Sequence, residues 1–381
     1  MAKRIGSCLS AVLLLFSIFP CQAMGVGTSA ASAILMDAES GRVLYEQNAD
    51  REMLIASTTK IMTALVVLEH CALQDEVEIL PEYTQVEGSS IYLRPGETVT
   101  VEELLYGLLL ESGNDAAVAL ACHTSGSVEA FAQLMNQKAE ELQLQNSAFV
   151  NPHGLDAEGH YASAYDLACI MAAAMSRQDF CDIVARKSAA VGNRTFTNHN
   201  RLLGSCDGVV GGKTGYTQSA GRSLVSCAVR NEMTLICVTL NDRSDWEDHA
   251  ALYDWGFASA QFAEPTDGCS WEIPVISGQK ACVQVSPAKS VHLLLSPADT
   301  VSLQINLPRF VYAQVRSGDR AGTLTCSVNG APIETVDLIY TETVDQCVPP
   351  QPGFFARLQQ KWVITMDRLL NRFGIYEYME E

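Results

Sequence analysis

Residues 31–263 carry strand-like runs at both ends and helical periodicity between them, and this arrangement restricts the fold more than any other feature of the sequence. Ser32 to Asp37 and Arg42 to Glu46 are short β-like runs around Ala38-Glu39-Ser40-Gly41, an opening hairpin with glycine at the position that needs a positive φ. Near the other end, Gly208 to Thr217 reads as extended. Leu224 to Val229 and Thr234 to Leu240 read as a strand pair around Arg230-Asn231-Glu232. Between these lie helical patterns at Ser57 to His70, from the capping box Thr100-Val101-Glu102-Glu103 to Leu110, from Asp115 onward, and at Val128 to Leu142 and Ala164 to Met175. A further helix, Glu247 to Phe262, is expected to pack over the strand pair. Sheet at both ends with a helical middle implies an α/β sandwich whose two ends meet in one sheet.

Two stretches flank this part. From about Cys269 to Val348 the pattern changes to short alternating runs (Ser302 to Leu307, Phe310 to Arg316, Gly322 to Val328) with a hairpin signal at Asn329-Gly330, a separate small β-domain. Pro349-Pro350-Gln351-Pro352-Gly353 is a stiff linker. Beyond it, within 353–376, Phe354, Phe355, Leu358, Trp362, Met366, Leu369, Leu370 and Phe373 share one helical face, and Arg357, Lys361, Arg368 and Arg372 the other. That pattern fits a helix lying in the plane of a membrane surface, the alternative being a helix docked on the β-domain. It is too polar to span.

The first residues, 1–23, read as a secretory signal: Lys3 and Arg4, an apolar run from Ala11 to Phe19, and Cys21-Gln22-Ala23 as the cleavage site. Cys21 as a lipid acceptor is the alternative, although Phe19-Pro20 lacks the usual small residues. The formal charge of −19 falls to −21 without Lys3 and Arg4. So acidic a body excludes nucleic acid as a partner, since phosphate binding needs clustered Lys and Arg. Of the thirteen cysteines, Cys8 and Cys21 lie in the signal and the others show no C-x-x-C pair. Cys169, Cys181, Cys227 and Cys237 sit inside apolar runs, as small buried hydrophobes do, so neither a disulfide framework nor a metal site is expected.

The chemistry concentrates in three stretches. Ser57-Thr58-Thr59-Lys60 places a serine and a lysine one turn apart on one helix face, where a buried and therefore basic amine can activate the hydroxyl without any histidine. Ser112-Gly113-Asn114 interrupts two helical runs, so both polar side chains can point into a cleft with Gly113 permitting the turn; a plain helix stop and cap would look the same. Lys213-Thr214-Gly215 lies in a strand after Gly211 and Gly212, where glycine marks close backbone approach by a ligand or lysine merely tips an edge. His153, in the polar loop Asn151 to Asp156, could be a general base or could fix the loop. A second Ser-x-x-Lys, Ser286 to Lys289, and Ser327-Val328-Asn329 fall among strand-like runs with no Lys-Thr-Gly after them and are read as accidental.

Taken together and in this order, the three stretches resemble the penicillin-recognising serine enzymes, and among them the D-alanyl-D-alanine carboxypeptidases. The resemblance extends to Ala33-Ile34-Leu35-Met36-Asp37 with Gly41-Arg42-Val43-Leu44-Tyr45, to Asn151-Pro152-His153-Gly154-Leu155, and to Gly212-Lys213-Thr214-Gly215-Tyr216-Thr217. It implies a β-lactamase/transpeptidase-like antiparallel sheet with a helical subdomain, then the small all-β domain and the C-terminal amphipathic helix. It also implies an exported enzyme at the outer face of the cell membrane that trims the terminal D-Ala from peptidoglycan stem peptides, needs no cofactor and is acylated by β-lactams. Ser57 would be the nucleophile, Lys60 its base, and Ser112 a proton relay to the leaving amine. Asn114 would hold the substrate backbone, Lys213 would supply positive charge, Thr214 would bind the terminal carboxylate, and Gly215 would belong to the same substrate-binding stretch. The N–H groups of Ser57 and Tyr216 would form the oxyanion hole.

A β-lactamase on the same fold would use an extra glutamate for deacylation; Glu158 lies in the loop from Phe149 to Ala162, without a Glu-x-x-Leu-Asn pattern. A D,D-endopeptidase and a catalytically idle wall-binding module are the remaining readings, the last opposed by an intact Ser57, Lys60 and Lys213.

Overall fold

The two strand-forming ends of the chain do meet in one sheet. The structure, a computed structural model, describes residues 26–295, 299–348 and 353–372. The signal at 1–23, Pro349 to Pro352 of the linker and Phe373 of the last helical face lie outside the described residues.

β1 (Ser32–Asp37) and β2 (Val43–Gln47) form the opening hairpin. A 3-10 turn at Ala56–Thr59 leads into α1 (Lys60–His70). β3 (Glu76–Glu78) pairs with β4 (Thr98–Thr100) across a long loop, and α2 (Val101–Leu109), α3 (Asn114–Ser125), α4 (Val128–Glu141) and α5 (Ala164–Met175) follow. α6 (Gln178–Val184) and the hairpin of β5 (Ser188–Val191) with β6 (Arg194–Thr197) lead to β7 (Val209–Thr217), β8 (Gly221–Arg230) and β9 (Met233–Leu240). α7 (Asp245–Ser259) and the short β10 (Gln261–Ala263) close this part.

The main sheet has the order β2-β1-β9-β8-β7, every neighbouring pair antiparallel. β1 lies beside β9 with Ile34 opposite Val238 and Leu35 opposite Cys237. Alternation along these strands divides the core. Ile34, Met36, Ile236 and Val238 pack with the helices α1 to α6 on one face, whereas Leu35, Leu235 and Cys237 pack with Leu252 and Tyr253 of α7 on the other. With both faces covered, β9 reads as a nearly continuous apolar run. α1 is buried from Lys60 to Leu68, so its first turn is held from every side. β7 stays at the sheet edge with η-turn residues 56–59 packed beside it.

Several local expectations need correction. Thr100 caps α2 by accepting from the Glu103 N–H at 3.1 Å, but the Glu103 carboxylate goes to Arg194 Nη1 at 2.6 Å, so the reciprocal half of the capping box is not made. The positive φ in the α2–α3 turn belongs to Ser112 (+63°), not to Gly113, whose φ is −58°. A Cβ on Gly113 would instead stand 2.9 Å from Asp115 Oδ1 and 3.0 Å from Ile91 Cγ2; the glycine serves close packing. α3 starts at Asn114, and α7 stops at Ser259, three residues before the expected end, because Gln261 to Ala263 pair as a strand.

The chain divides into two compact units after Ala263, with Leu293 to Asp299 belonging to the first. There Arg42 bonds the Leu294 carbonyl and the Asp299 carboxylate. The second unit holds β11 (Trp271–Ile276) and β12 (Cys282–Pro287); β13 (Leu293–Leu295) pairs with β10 in the first unit. β14 (Val301–Asn306), β15 (Val311–Tyr312), β16 (Arg320–Val328) and β17 (Ala331–Tyr340) complete a six-stranded sheet ordered β14-β16-β17-β12-β11-β15. Only two residues of the expected strand at Phe310 to Arg316 join that sheet. Ser286 sits in β12 and Ser327 in β16, and Lys289 pairs with Glu334, so the second Ser-x-x-Lys has no helical face to act from.

α8 (Phe354–Arg372) is exposed from Phe354 to Leu369; Phe354, Phe355 and Trp362 are 73%, 85% and 65% accessible. No helix of the described residues is long and apolar enough to cross a membrane. Cys71, Cys122 and the other nine described cysteines are all free thiols, three of them buried, at Cys227, Cys237 and Cys326.

Candidate active site

The first turn of α1 carries the centre of the site. Ser57 precedes the helix by a single 3-10 turn, so its side chain and that of Lys60 share one face. Lys60 Nζ lies 2.9 Å from Ser57 Oγ, 2.7 Å from Asn114 Oδ1 and 2.6 Å from the carbonyl of His153. Lys60 is fully buried. Burial first, and then the positive charge of Lys213, hold its pKa well below the usual lysine value, against a weaker pull upward from Asp115. The amine therefore sits where a neutral form is favoured.

Asn114 is reached from the other side of the cleft. Its Nδ2 donates to the Glu87 carbonyl at 2.6 Å, and its backbone N–H donates to the Ser89 carbonyl at 2.8 Å. That loop is held in turn by Asp115, whose carboxylate accepts from Ser90 Oγ (2.6 Å), the Ile91 N–H (3.1 Å) and the Leu93 N–H (3.1 Å). Both ends of the Asn114 amide are thus engaged within the protein.

The third stretch enters along edge strand β7. Lys213 Nζ donates to Ser112 Oγ at 3.0 Å and to the Thr214 carbonyl at 2.8 Å, and burial lowers its pKa to about 7. A Cβ on Gly215 would stand 3.0 Å from the Ile55 carbonyl oxygen and 3.1 Å from the Ser57 nitrogen. The absence of a side chain on this residue lets the strand backbone approach Ser57 this closely. Tyr216, next along, is 68% exposed, and Thr217 Oγ1 donates to Asp156 Oδ1 at 2.9 Å, tying the strand end to the Asn151–Asp156 loop. The structure therefore gathers Ser57, Lys60, Ser112, Asn114, Lys213 and Gly215 around one cleft. Thr214 and Tyr216 border it on the strand.

His153 contributes its carbonyl to Lys60, and its ring Nδ1 accepts from the Leu155 N–H at 3.2 Å. Burial and the nearby Lys60 lower its pKa to about 4. It fixes the loop. Three residues had no signal in the sequence: Asp115, Thr59 and His160. Asp115 looked like an ordinary helix-start acid, and Thr59 and His160 make a hydrogen bond between positions 101 residues apart.

Two other clusters lie away from this cleft. Ser226 Oγ is 2.7 Å from His249 Nδ1 and 2.7 Å from the Tyr253 hydroxyl, but all three side chains are fully buried between β8 and α7. No substrate reaches that serine. Cys71, Asp75 and His123 bring three ligand atoms within 4.8 Å of one another at the far end of α1 from Ser57.

The comparisons agree with this geometry. A family profile described as D-alanyl-D-alanine carboxypeptidase matches residues 21–244. The D-alanyl-D-alanine carboxypeptidase DacF of Bacillus subtilis is 32% identical over 319 residues, covering 79% of this chain and 82% of the relative. DacC of Escherichia coli is 33% identical over 371 residues, 90% of this chain and 88% of the relative. Penicillin binding protein 5 of Haemophilus influenzae superposes with a TM-score of 0.68 at 28% identity, covering 85% of this chain and 99% of that one. A serine hydrogen-bonded to a buried lysine beside an edge strand, in a chain matched this far, leaves one conclusion: the protein belongs to the D-alanyl-D-alanine carboxypeptidase family.

Proposed function

We infer that the protein works as a serine D-alanyl-D-alanine carboxypeptidase by acylating Ser57 and then hydrolysing the acyl-enzyme, and that the cleft described above divides the labour as follows. The observation that carries this reading is the environment of Lys60 Nζ. Two of its three neighbours, Asn114 Oδ1 and the His153 carbonyl, can only accept hydrogen bonds. A neutral amine satisfies both with its two N–H bonds, and its lone pair is then left facing Ser57 Oγ. In that state Ser57 donates to Lys60. As Ser57 Oγ attacks the carbonyl between the two D-alanines, its proton passes to Nζ.

The tetrahedral oxyanion would be met by the N–H groups of Ser57 and Tyr216, each such donor being worth about 3–4 kcal/mol in acyl-transfer enzymes. The C–N bond breaks with a proton delivered to the leaving amine through Ser112, which Lys213 holds. A terminal carboxylate entering beside Lys213 would favour its ammonium form, so that Lys213 and Thr214 supply the positive charge and hydroxyl the carboxylate needs. Water then attacks the ester, releasing the shortened peptide and restoring Ser57. A β-lactam presents the same carboxylate and a strained amide, and would acylate the same oxygen.

The substrate lies outside the cytoplasm, where peptidoglycan is. The exposed aromatic face of α8, with Arg357, Lys361, Arg368 and Arg372 on the same helix, supports attachment to the outer face of the cell membrane in the plane of the lipid headgroups.

The test is D-alanine release from a synthetic stem peptide ending in D-Ala-D-Ala by the full chain and by its Ser57→Ala variant. Release that requires Ser57 is expected. Equal release by a folded Ser57→Ala protein would sink the assignment, and rapid penicillin turnover would move the reading to a β-lactamase.

A further inference from the structure

Behind the nucleophile runs a chain of hydrogen bonds that the acylation mechanism above does not use. The Val150 N–H donates to His160 Nδ1 at 3.2 Å, and an N–H can only donate, so in the neutral ring the proton sits on Nε2. His160 Nε2 lies 2.8 Å from Thr59 Oγ1 and therefore donates to it. The Thr59 hydroxyl is left to donate to the Ala56 carbonyl at 2.9 Å. Thr59 is fully buried and His160 is 2% exposed, so the directions are not scrambled by solvent. The ring is also held edge-on by Phe149 at 5.8 Å.

The Ala56 carbonyl belongs to the same peptide unit as the Ser57 N–H. In a trans peptide the two point in opposite directions, so holding the oxygen on the buried side aims the N–H into the cleft. That unit needs holding. Ala56 has φ +47°, a left-handed conformation that a residue with a Cβ adopts only under constraint. The loop behind it also packs tightly, since a Cβ on Gly154 would stand 1.9 Å from the Ala56 oxygen.

We propose that Thr59 and His160 are positioning residues that lock the Ala56–Ser57 peptide unit so that the Ser57 N–H points at the oxyanion. A hydrogen bond accepted by the carbonyl also polarises the amide and makes its N–H the better donor. Burial keeps His160 neutral at ordinary pH, with its pKa lowered to about 4 against a pull upward from Asp156, which preserves the direction of the chain. The proposal rests on Ser57 being the nucleophile.

The experiment measures Ser57 acylation by a fluorescent penicillin in the full chain, recording both the rate constant and the final labelled fraction. Thr59→Val keeps the shape and deletes the hydroxyl; it should slow acylation about tenfold or more while the labelled fraction still reaches completion. With the D-Ala-D-Ala peptide, kcat should fall by a similar factor with KM little changed, since the oxyanion exists only in the transition state. Thr59→Ser, which restores the hydroxyl, should recover the rate to within about threefold. His160→Phe interrupts the chain from the other end and should slow acylation as Thr59→Val does, so the idea stays testable if either protein fails to fold. Wild-type rates in Thr59→Val or His160→Phe would overturn it. So would a reduced labelled fraction with an unchanged rate constant, the mark of a purely structural role, or a Thr59→Ser variant as slow as Thr59→Val. Labelling of a Ser57→Ala control would instead overturn the nucleophile assignment, a separate result.

Discussion

Lys60 Nζ stands 2.7 Å from Asn114 Oδ1, and the opposite end of the same amide is pinned to the Glu87 carbonyl at 2.6 Å. The amide cannot flip without losing one of these bonds, so the atom facing Lys60 is an uncharged acceptor. For the proposed mechanism this is a sharp requirement, because Lys60 acting as the base would have to be neutral to take the Ser57 proton.

The first prediction is therefore for Asn114→Asp. A carboxylate at this position favours the charged ammonium and raises the Lys60 pKa. The acid limb of the acylation pH profile should move upward, and the rate at neutral pH should fall while alkaline rates partly recover. A pH profile of penicillin acylation checks this. An unmoved limb would mean that Lys60 is not the titrating base.

Lys213 leads to a stability prediction. Its pKa is about 7 in the folded chain, against an ordinary 10.5. Between these values the unfolded chain binds the proton and the folded chain does not. Stability therefore rises with pH from about 7 upward, by about 1.4 kcal/mol per pH unit for one such group. Lys60, also lowered, adds in the same direction. Buried thiols such as Cys227, raised to about 12, oppose this above pH 9, where unfolding lets them ionise. The clean window is pH 7 to 9. Lys213→Met should flatten the slope of unfolding free energy against pH in that window, as measured by urea melts. The same slope in wild type and variant would place the titration elsewhere.

Asp115 is expected to behave as a keystone of the loop. Its carboxylate satisfies three backbone N–H groups, those of Ile91, Leu93 and Ala116, and one hydroxyl, and Asp115→Ala leaves the Ile91 and Leu93 N–H groups without partners in a buried place. Stability should fall by about 2–4 kcal/mol. Acylation should also slow in the protein that remains folded, since the same loop holds Asn114 through Glu87 and Ser89. Thermal melts and the acylation rate of the folded fraction separate the two effects.

How much of this was legible beforehand depends on range along the chain. Ser57 with Lys60 is a one-turn relationship, and the helix start that presents it is written in the apolar spacing of Ile61, Ala64, Leu65 and Leu68. That the strands of both ends share one sheet followed from the placement of strand-like runs, because buried strands have to find partners, but that β1 lies beside β9 did not. What stayed hidden depends on long-range side-chain bonds. His160 and Thr59, or Arg194 with Glu103, leave no period in the sequence. The assignment of the turn to Gly113 failed because glycine suits two different demands, a positive φ and a close approach. Sequence displays the residue but not which demand it meets. α6 and the β5–β6 hairpin were missed since each is short, and their apolar residues Phe180, Ile183 and Phe196 are too few to set a period. The return of Leu293 to Leu295 to pair with β10 is likewise a tertiary choice.

The last prediction concerns α8. Phe354, Phe355, Leu358, Trp362 and Leu369 are all exposed, and such an apolar stripe in water is costly unless something covers it. A bilayer surface would take the stripe while Arg357, Lys361, Arg368 and Arg372 stay at the level of anionic headgroups, each cation adding about 1 kcal/mol. Binding to vesicles containing anionic lipid should therefore require both features. Trp362→Glu should weaken sedimentation with such vesicles at any salt concentration, because it removes buried apolar area and adds a repelled charge. Replacing Arg368 and Arg372 with glutamine should weaken it chiefly at low salt, where the attraction is unscreened. Deleting Phe354 to Glu381 should abolish sedimentation and leave D-alanine release from a soluble peptide unchanged, since none of the cleft residues lies there. If the deleted form still sediments, the membrane contact lies elsewhere on the chain, and the exposed stripe needs a protein partner instead.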